Sequence, residues 1–333
     1  MSSKTLRTVA CLFGWLPALL LAVSGAQAQS CASRGDLDAR YCDSNGDLLA
    51  DAPADKSKIR NPDTLVFSYT PVEDPAVYEN AFSELMAHMA KVTGKKVRWF
   101  PAESYAAQVE ALRSGRLHVT GVASGATPYA VNLGGFIPLT AMEKDDGTVG
   151  YTLQLITHRD SSIKSVADLK GKRVAHVSPS SNSGDTAPRV LFTAQGIKPG
   201  TDYEVIFSGK HDNSIMGVVN KDYDAAPVAS NVVDRMAARG MFKKSDLRVV
   251  YESRPFPRTA FGVAHDLPQD LQDKVKQAFL SFDFKASKLG KEFKDSRAFI
   301  AINYAQDWKN IRDIQKATGA TYTAEGMSKL KQE

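Results

Sequence analysis

The residues best suited to chemistry in this chain are small, polar and grouped in turns. Ser178-Pro179-Ser180-Ser181-Asn182-Ser183-Gly184 lies between a strand pattern at 173–176 and a helix pattern at 187–194. Consecutive hydroxyl residues ahead of a helix offer short side-chain donors, and their backbone N–H groups converge at the positive end of the helix dipole. An oxyanion needs several such donors around it and no bulk. An ordinary N-cap turn has the same composition, so the reading gains from a second turn, Ser124-Gly125-Ala126-Thr127, after a strand at 117–123. Two such turns, one from each block of the chain, could close on one anion. His211, in Gly209-Lys210-His211-Asp212-Asn213-Ser214, follows a strand pattern and precedes a helix. A neutral imidazole there donates one hydrogen bond, and a protonated one adds complementary charge. The alternative is a surface histidine beside an N-cap aspartate. Tyr69, Tyr105 and Tyr151 could add phenolic donors or serve only as core and rim residues.

Catalytic patterns are missing. The chain has no G-x-S-x-G elbow, no HExxH and no P-loop. His211, Asp212 and Ser183 include the residue types of a triad, but an adjacent His-Asp pair cannot orient one another in the triad manner. No nucleophile–base set is placed, so an enzyme is not expected, and no motif asks for a cofactor or a metal.

Alternating elements must carry these turns. From Thr64 the pattern reads strand 65–69, helix 77–92 ending at Gly94, strand 97–100, helix 105–114 and strand 117–123. A second block reads strand 153–158, a helical turn at 166–169, strand 173–176, helix 187–194, strand 203–207, helix 213–220, strand 224–227, helix 232–239 and strand 247–251. Strand 260–264 and helix 269–281 return the chain. Strands separated by single helices predict βαβ units, a parallel sheet and an α/β fold in two lobes. Ligands of such sheets sit beyond the carboxyl ends of the strands, where both small-residue turns fall. The expected division is residues 63–150 with 255–333 as one lobe and 151–254 as the other.

The first residues predict export. Lys4 and Arg7 precede an apolar run over 9–23, and Ala26-Gln27-Ala28 closes it as a cleavage pattern. The run is short for a membrane span and holds Gly14 and Pro17, so residues 1–28 are expected to be a cleaved signal peptide and the protein periplasmic. No Leu-x-Gly-Cys lipobox precedes Cys31. Loss of Lys4 and Arg7 lowers the formal net charge from +5 to +3, with both signs interspersed, so neither a nucleic-acid stripe nor a polybasic membrane patch is present. No other apolar run approaches membrane-spanning length, and a soluble monomer is expected. Cys11 leaves with the signal. Cys31 and Cys42 remain, an even pair in an oxidising compartment, and a disulfide is the simplest reading; a two-cysteine metal site has no histidine nearby to complete it. Residues 29–62 read as a polar arm. Within it Asp43, Asn45, Asp47 and Asp51 mimic a calcium loop, but Gly46 is one place early and Ala54 stands where a bidentate Glu belongs, so a solvated turn is expected.

Tyr105-Ala106-Ala107-Gln108, Gly150-Tyr151, Asn182-Ser183-Gly184 and Gly209-Lys210-His211-Asp212, in this order and spacing, resemble the PhnD family of phosphonate, phosphite and phosphate ABC-transporter binding proteins. The resemblance covers about residues 63–313. It implies a type II periplasmic binding protein, two α/β lobes closing around a ligand, with crossover strands near Tyr151 and residues 253–255. It places the oxyanion on Ser181, Asn182 and Ser183 with Gly184, on His211, and on Tyr105 and Tyr151; the turn at Ser124 and Gly125 would face them. It also implies an inner-membrane permease and ATPase as partners. Asn182 departs from the family, which has a hydroxyl there. Aminoalkylphosphonate binders of the family hold the ligand's ammonium on two carboxylates, and their positions correspond here to Asn231 and Thr259. A buried ammonium without a countercharge is costly. Phosphite, phosphate or a non-aminated phosphonate is therefore the expected ligand, with Asp212 and Asp224 the nearby acids that could still serve an amine. An accessory role presenting ligand to a sensor kinase or chemoreceptor is the alternative; arsenite sensors of this fold use a site cysteine, and both retained cysteines lie in the arm.

Overall fold

The computed structural model describes Cys31, residues 33–323 and residues 325 and 326; the signal peptide expected at 1–28 lies outside the described residues. The regular chain opens with β1 (Thr64–Tyr69), whose residues from Leu65 onward are all buried, so no polar alternation marks a solvent face. α1 (Ala76–Thr93) follows and stops at Gly94, whose φ of 71° is the left-handed conformation that glycine adopts at no steric cost. β2 (Lys96–Trp99), α2 (Tyr105–Arg113), β3 (Val119–Val122), α3 (Thr127–Gly134) and β4 (Phe136–Lys144) complete the first run. The second run is β5 (Leu153–His158), β6 (Arg173–His176), a π-helical turn at Asn182–Thr186 leading into α4 (Ala187–Leu191), β7 (Glu204–Phe207), α5 (His211–Val219), β8 (Ala225–Ala229), α6 (Ser230–Ala238) and β9 (Leu247–Glu252). The chain returns through β10 (Ala260–Ala264), α7 (Gln269–Leu280), α8 (Lys288–Glu292), β11 (Ser296–Ala301), α9 (Tyr304–Asp307) and α10 (Lys309–Ala317).

Two sheets result. The first has the order β11-β4-β10-β3-β1-β2 and the second β7-β6-β8-β5-β9. Both are mixed, which corrects the all-parallel expectation. β1 is parallel to β2 and β3, and β6 to β7 and β8, as βαβ units require. β10 and β4 pair antiparallel in the first sheet, as β5 and β9 do in the second. The cause is the double crossing of the chain: it leaves the first sheet after β4, returns after β9, and adds strands running against the βαβ direction. Tyr151 and Phe256 pair antiparallel where the two crossings run side by side, with N–H···O distances of 3.0 and 2.8 Å. α3, β4 and β11 carry no expectation from sequence, because their residues are nearly all buried or lack a clear period.

The N-terminal arm is packed. Leu37, Tyr41 and Ala50 are buried in the hydrophobic core, and the Asp38 amide donates to the Asn132 carbonyl at 2.8 Å. Cys31 and Cys42 form a disulfide with Cα atoms 5.5 Å apart. The turn that mimics a calcium loop is not solvated at its first carboxylate: Asp43 is buried and accepts from the amides of Gly46, Asp47 and Leu48 at 2.8, 3.1 and 3.0 Å. Among the described residues no helix is long and apolar enough to cross a membrane.

Candidate functional site

A small cavity of about 30 Å³ lies where the carboxyl ends of strands from both sheets meet. Its wall brings together Tyr105, Ser124, Gly125, Tyr151, Ser181, Asn182, His211, Asn231 and Thr259, together with Tyr69. Pockets for drug-sized ligands run to ~300–1,000 Å³, so only a compact ligand fits. Depressions of about 880 and 800 Å³ exist on other surfaces, and neither gathers these residues.

Each residue arrives at the end of an element. Tyr69 ends β1, where Gly121 on the neighbouring strand leaves space for the rings of Tyr69 and Phe261, stacked 5.8 Å apart; a Cβ at Gly121 would meet both. Tyr105 opens α2, whose N-cap Ser104 accepts from the Ala107 amide at 3.2 Å. Ser124 and Gly125 lead into α3. Their carbonyls are held by the C-terminal helices, the Ser124 oxygen by the Trp308 indole at 3.2 Å and the Gly125 oxygen by the Gln315 amide at 2.6 Å. His211 is the first residue of α5, and Asn231 lies in the first turn of α6. Four helices of eight or nine residues, α2, α3, α5 and α6, thus direct their positive ends at one small space.

The Ser-rich turn is braced from behind. Ser181 caps the π-helical turn, its hydroxyl accepting from the Gly184 amide at 3.1 Å and lying 3.4 Å from His211 Nε2. The Asn182 amide donates to the Tyr151 hydroxyl at 3.2 Å. Asp185, within the turn, meets His176 Nδ1 at 2.8 Å and Arg189 Nε at 2.8 Å. The two turns touch: a Cβ on Gly125 would collide with the Ser180 carbonyl and come within 2.6 Å of the Asn182 nitrogen. Only glycine permits that approach. Ser183 and Gly184 are buried in the turn but do not line the cavity, and Gly184 packs against the Val177 side chain.

His211 is neutral. Burial drives its pKa from the usual 6.5 down to about 3, and its Nδ1 accepts from the Ala229 amide at 3.3 Å. The proton therefore sits on Nε2, which makes His211 a hydrogen-bond donor and removes the charged alternative drawn from sequence. Neither nearby acid reaches the wall. Asp212 accepts from the amides of Asp74 and Asn213, and Asp224 from the Arg173 amide. The wall also includes Arg258, Val72, Ala123, Ala229 and Val232, which the sequence reading did not single out. A strand-end position marks three of them; nothing in the local pattern marks Arg258, which is brought in by the return crossing.

Side chains beside the cavity tie the sheets together. Glu73, after β1, accepts from Tyr78 Oη at 2.5 Å and Arg235 Nη2 at 2.8 Å, and pairs with Arg239. Glu292 of α8 meets Arg239 Nη1 at 2.5 Å. Arg235 lies in α6 and Arg239 caps its C-terminus, both in the second sheet's layer, whereas the glutamates belong to the first. Burial alone would raise the Glu73 pKa; Arg235, the Tyr78 hydroxyl and Arg239 outweigh it and hold the carboxyl below its usual range. The His211 amide also donates to the Val72 carbonyl at 3.0 Å.

Two α/β layers closing on a space lined by donors define a two-lobed solute-binding protein of the type II periplasmic fold. Residues 67–308 match the family described as ABC transporter, phosphonate, periplasmic substrate-binding protein, and the chain belongs to that family. It is 29% identical over 291 residues, 81% of this chain and 91% of its relative, to the phosphate-import protein PhnD of Mycolicibacterium smegmatis. In fold it is similar to a binding protein component of a phosphonate ABC transporter from Pseudomonas aeruginosa (21% identity, TM-score 0.69, 80% of this chain and 93% of that one). It is similar also to a PhnD protein of Prochlorococcus marinus in complex with methylphosphonate (19% identity, TM-score 0.68, 78% and 99% covered). These relatives are substrate-binding components of transport systems and not enzymes.

Proposed function

We propose that this protein captures a compact phosphorus oxyanion without an amine (phosphite, phosphate or a small alkylphosphonate such as methylphosphonate) in the periplasm and delivers it to an ABC permease and ATPase. The observation that carries the reading is a small cavity faced by four helix N-termini, hydroxyl and imidazole donors, with no carboxylate among the described residues of its wall. Residues 1–28 act as the cleaved export signal, and the mature protein works as a monomer. The layer built on the first sheet contributes Tyr105, Ser124 and Gly125, and the layer built on the second contributes Ser181, Asn182 and His211, with Tyr151 on the crossing. Ser183 and Gly184 shape the turn. Asn231 and Thr259 stand where an acid would be needed for an ammonium group. The anion favours the closed form because only there do both sets of donors reach it. Calorimetry with phosphite, phosphate, methylphosphonate and 2-aminoethylphosphonate tests the reading. Binding of one or more of the first three, with much weaker binding of the aminated ligand, is expected; tight binding of 2-aminoethylphosphonate alone would sink it.

A further inference from the structure

Among the described residues the wall of the cavity holds no carboxylate and no lysine, burial keeps His211 neutral, and one side chain stands out from this uncharged lining. The exception is Arg258, which is 4% exposed and lies on the return crossing just before β10. A guanidinium is not deprotonated in proteins, so this charge is permanent. Its Nη1 donates to Ser296 Oγ at 2.7 Å, and its Nη2 lies 3.1 Å from Asp295 Oδ2. Asp295 is itself half exposed, with 46% of its side chain accessible. Water partly screens the Asp295 carboxylate, and the Arg258 charge is felt within the wall, where it opposes the burial-driven rise of the Tyr69 pKa.

We propose that Arg258 is the residue that sets the charge preference of the site: a fixed cation in the closed wall that favours the dianionic form of a phosphorus oxyanion over the monoanion and repels a ligand ammonium. This inference rests on the oxyanion reading of the cavity and adds a determinant to it. Hydroxyl, imidazole and amide donors accept either ionisation state of the ligand, whereas a buried cation distinguishes them, because its interaction scales with ligand charge and is little screened by salt. Other groups facing Arg258 do not supply that distinction. Tyr69, from β1, has its pKa raised by burial and stays protonated. The Glu73 and Arg235 charges beyond it compensate one another.

Isothermal calorimetry with inorganic phosphate and methylphosphonate, at pH values below and above the second ionisation of each, tests the proposal on the full mature chain. Wild-type affinity should rise at least tenfold as the probe becomes dianionic. Arg258→Gln should lose tenfold or more of the dianion affinity and flatten that rise, and Arg258→Lys should keep the rise. Asp295→Asn is the second variant, at a half-exposed position where folding is not at risk. It removes the screening countercharge and should leave dianion binding unchanged or tighter. A purely structural role for Arg258 predicts the opposite sign, since freeing the guanidinium from its brace would weaken both ionisation forms alike; that result, or dianion affinity within threefold of wild type in Arg258→Gln, overturns the proposal. If the wild type binds neither probe nor phosphite, the oxyanion reading fails and this inference falls with it.

Discussion

Gly125→Ala tests closure most directly, because one methyl group is placed against backbone from the opposite layer. Gly125 is not in the left-handed region, so the substitution costs no backbone strain and its effect is steric. The new Cβ would lie 2.6 Å from the Asn182 nitrogen, with the Ser180 carbonyl oxygen closer still. Ordinary contacts begin near ~3.5 Å, so the two turns must separate by about 1 Å. Neither turn yields cheaply: Gln315 and Trp308 hold one, and the Asp185 carboxylate, paired with His176 and Arg189, holds the other. The opening falls on the gap between layers. A donor that sat ~2.9 Å from the ligand then lies beyond hydrogen-bonding range. Losing one hydrogen bond to a charged ligand removes about 1.5–3 kcal/mol, which is roughly a 10- to 150-fold weaker Kd. On the proposed closure mechanism the two turns part when ligand leaves, so the melting temperature without ligand should hardly change, while the ligand-induced increase shrinks. Calorimetry and paired thermal melts read both quantities. A Kd within threefold of wild type, with normal ligand-induced stabilisation, would refute the argument that these turns close on one another around the anion.

His211→Gln keeps a donor near the anion without an ionisable ring, so it should weaken binding less than His211→Ala, for which about 1.5–3 kcal/mol is expected. It should also reduce acid sensitivity. Below about pH 6.5 the unfolded chain protonates this histidine while the folded one does not until about pH 3, so stability is lost as pH falls through that window. Chemical denaturation at pH 7 and pH 5 should show a smaller pH-dependent loss in the variant, although His118, held down to about 4 by burial, keeps its own contribution. Glu73→Gln leaves Arg235 buried without its main partner. Breaking such a pair costs about 3–5 kcal/mol when the charge stays buried. If the closed form opens on ligand release, as proposed, the arginine is rehydrated, and the loss should appear as faster ligand release in stopped-flow measurements more than as a lower melting temperature without ligand. An unchanged release rate would separate this network from closure.

Much of the site was legible because its chemistry is local. The hydroxyl-rich turn, the second small-residue turn and His211 each sit between a strand and a helix, and strand-end loops are where an α/β fold exposes backbone amides. Tyr105 and Tyr151 stood as possible phenolic donors that the family resemblance then implied as site residues, Asn231 and Thr259 came from the resemblance alone, and all four line the cavity. Ser183 did not reach it: in a π-helical turn the residue after Asn182 points back into the layer, and no composition signal separates that turn from an α-helical start. β4 and β11 were missed because register shifts break their pairing and their apolar residues do not keep a strict alternation along either strand.

The sequence by itself carried the expectation of export and determined the two runs of alternating elements and the kind of donor each turn offers, since these depend on composition and short-range period. Tertiary structure alone decided which donors share a space, that His211 is neutral, that both sheets are mixed, and that Arg258 lines the cavity while paired with a half-exposed Asp295. Those properties depend on burial and on contacts between residues far apart in the chain: Glu73 meets Arg235 after the first crossing between the sheets, and Arg258 meets Asp295 after the second. Desolvation and long-range pairing have no signature in a local window. Periodicity and turn chemistry do.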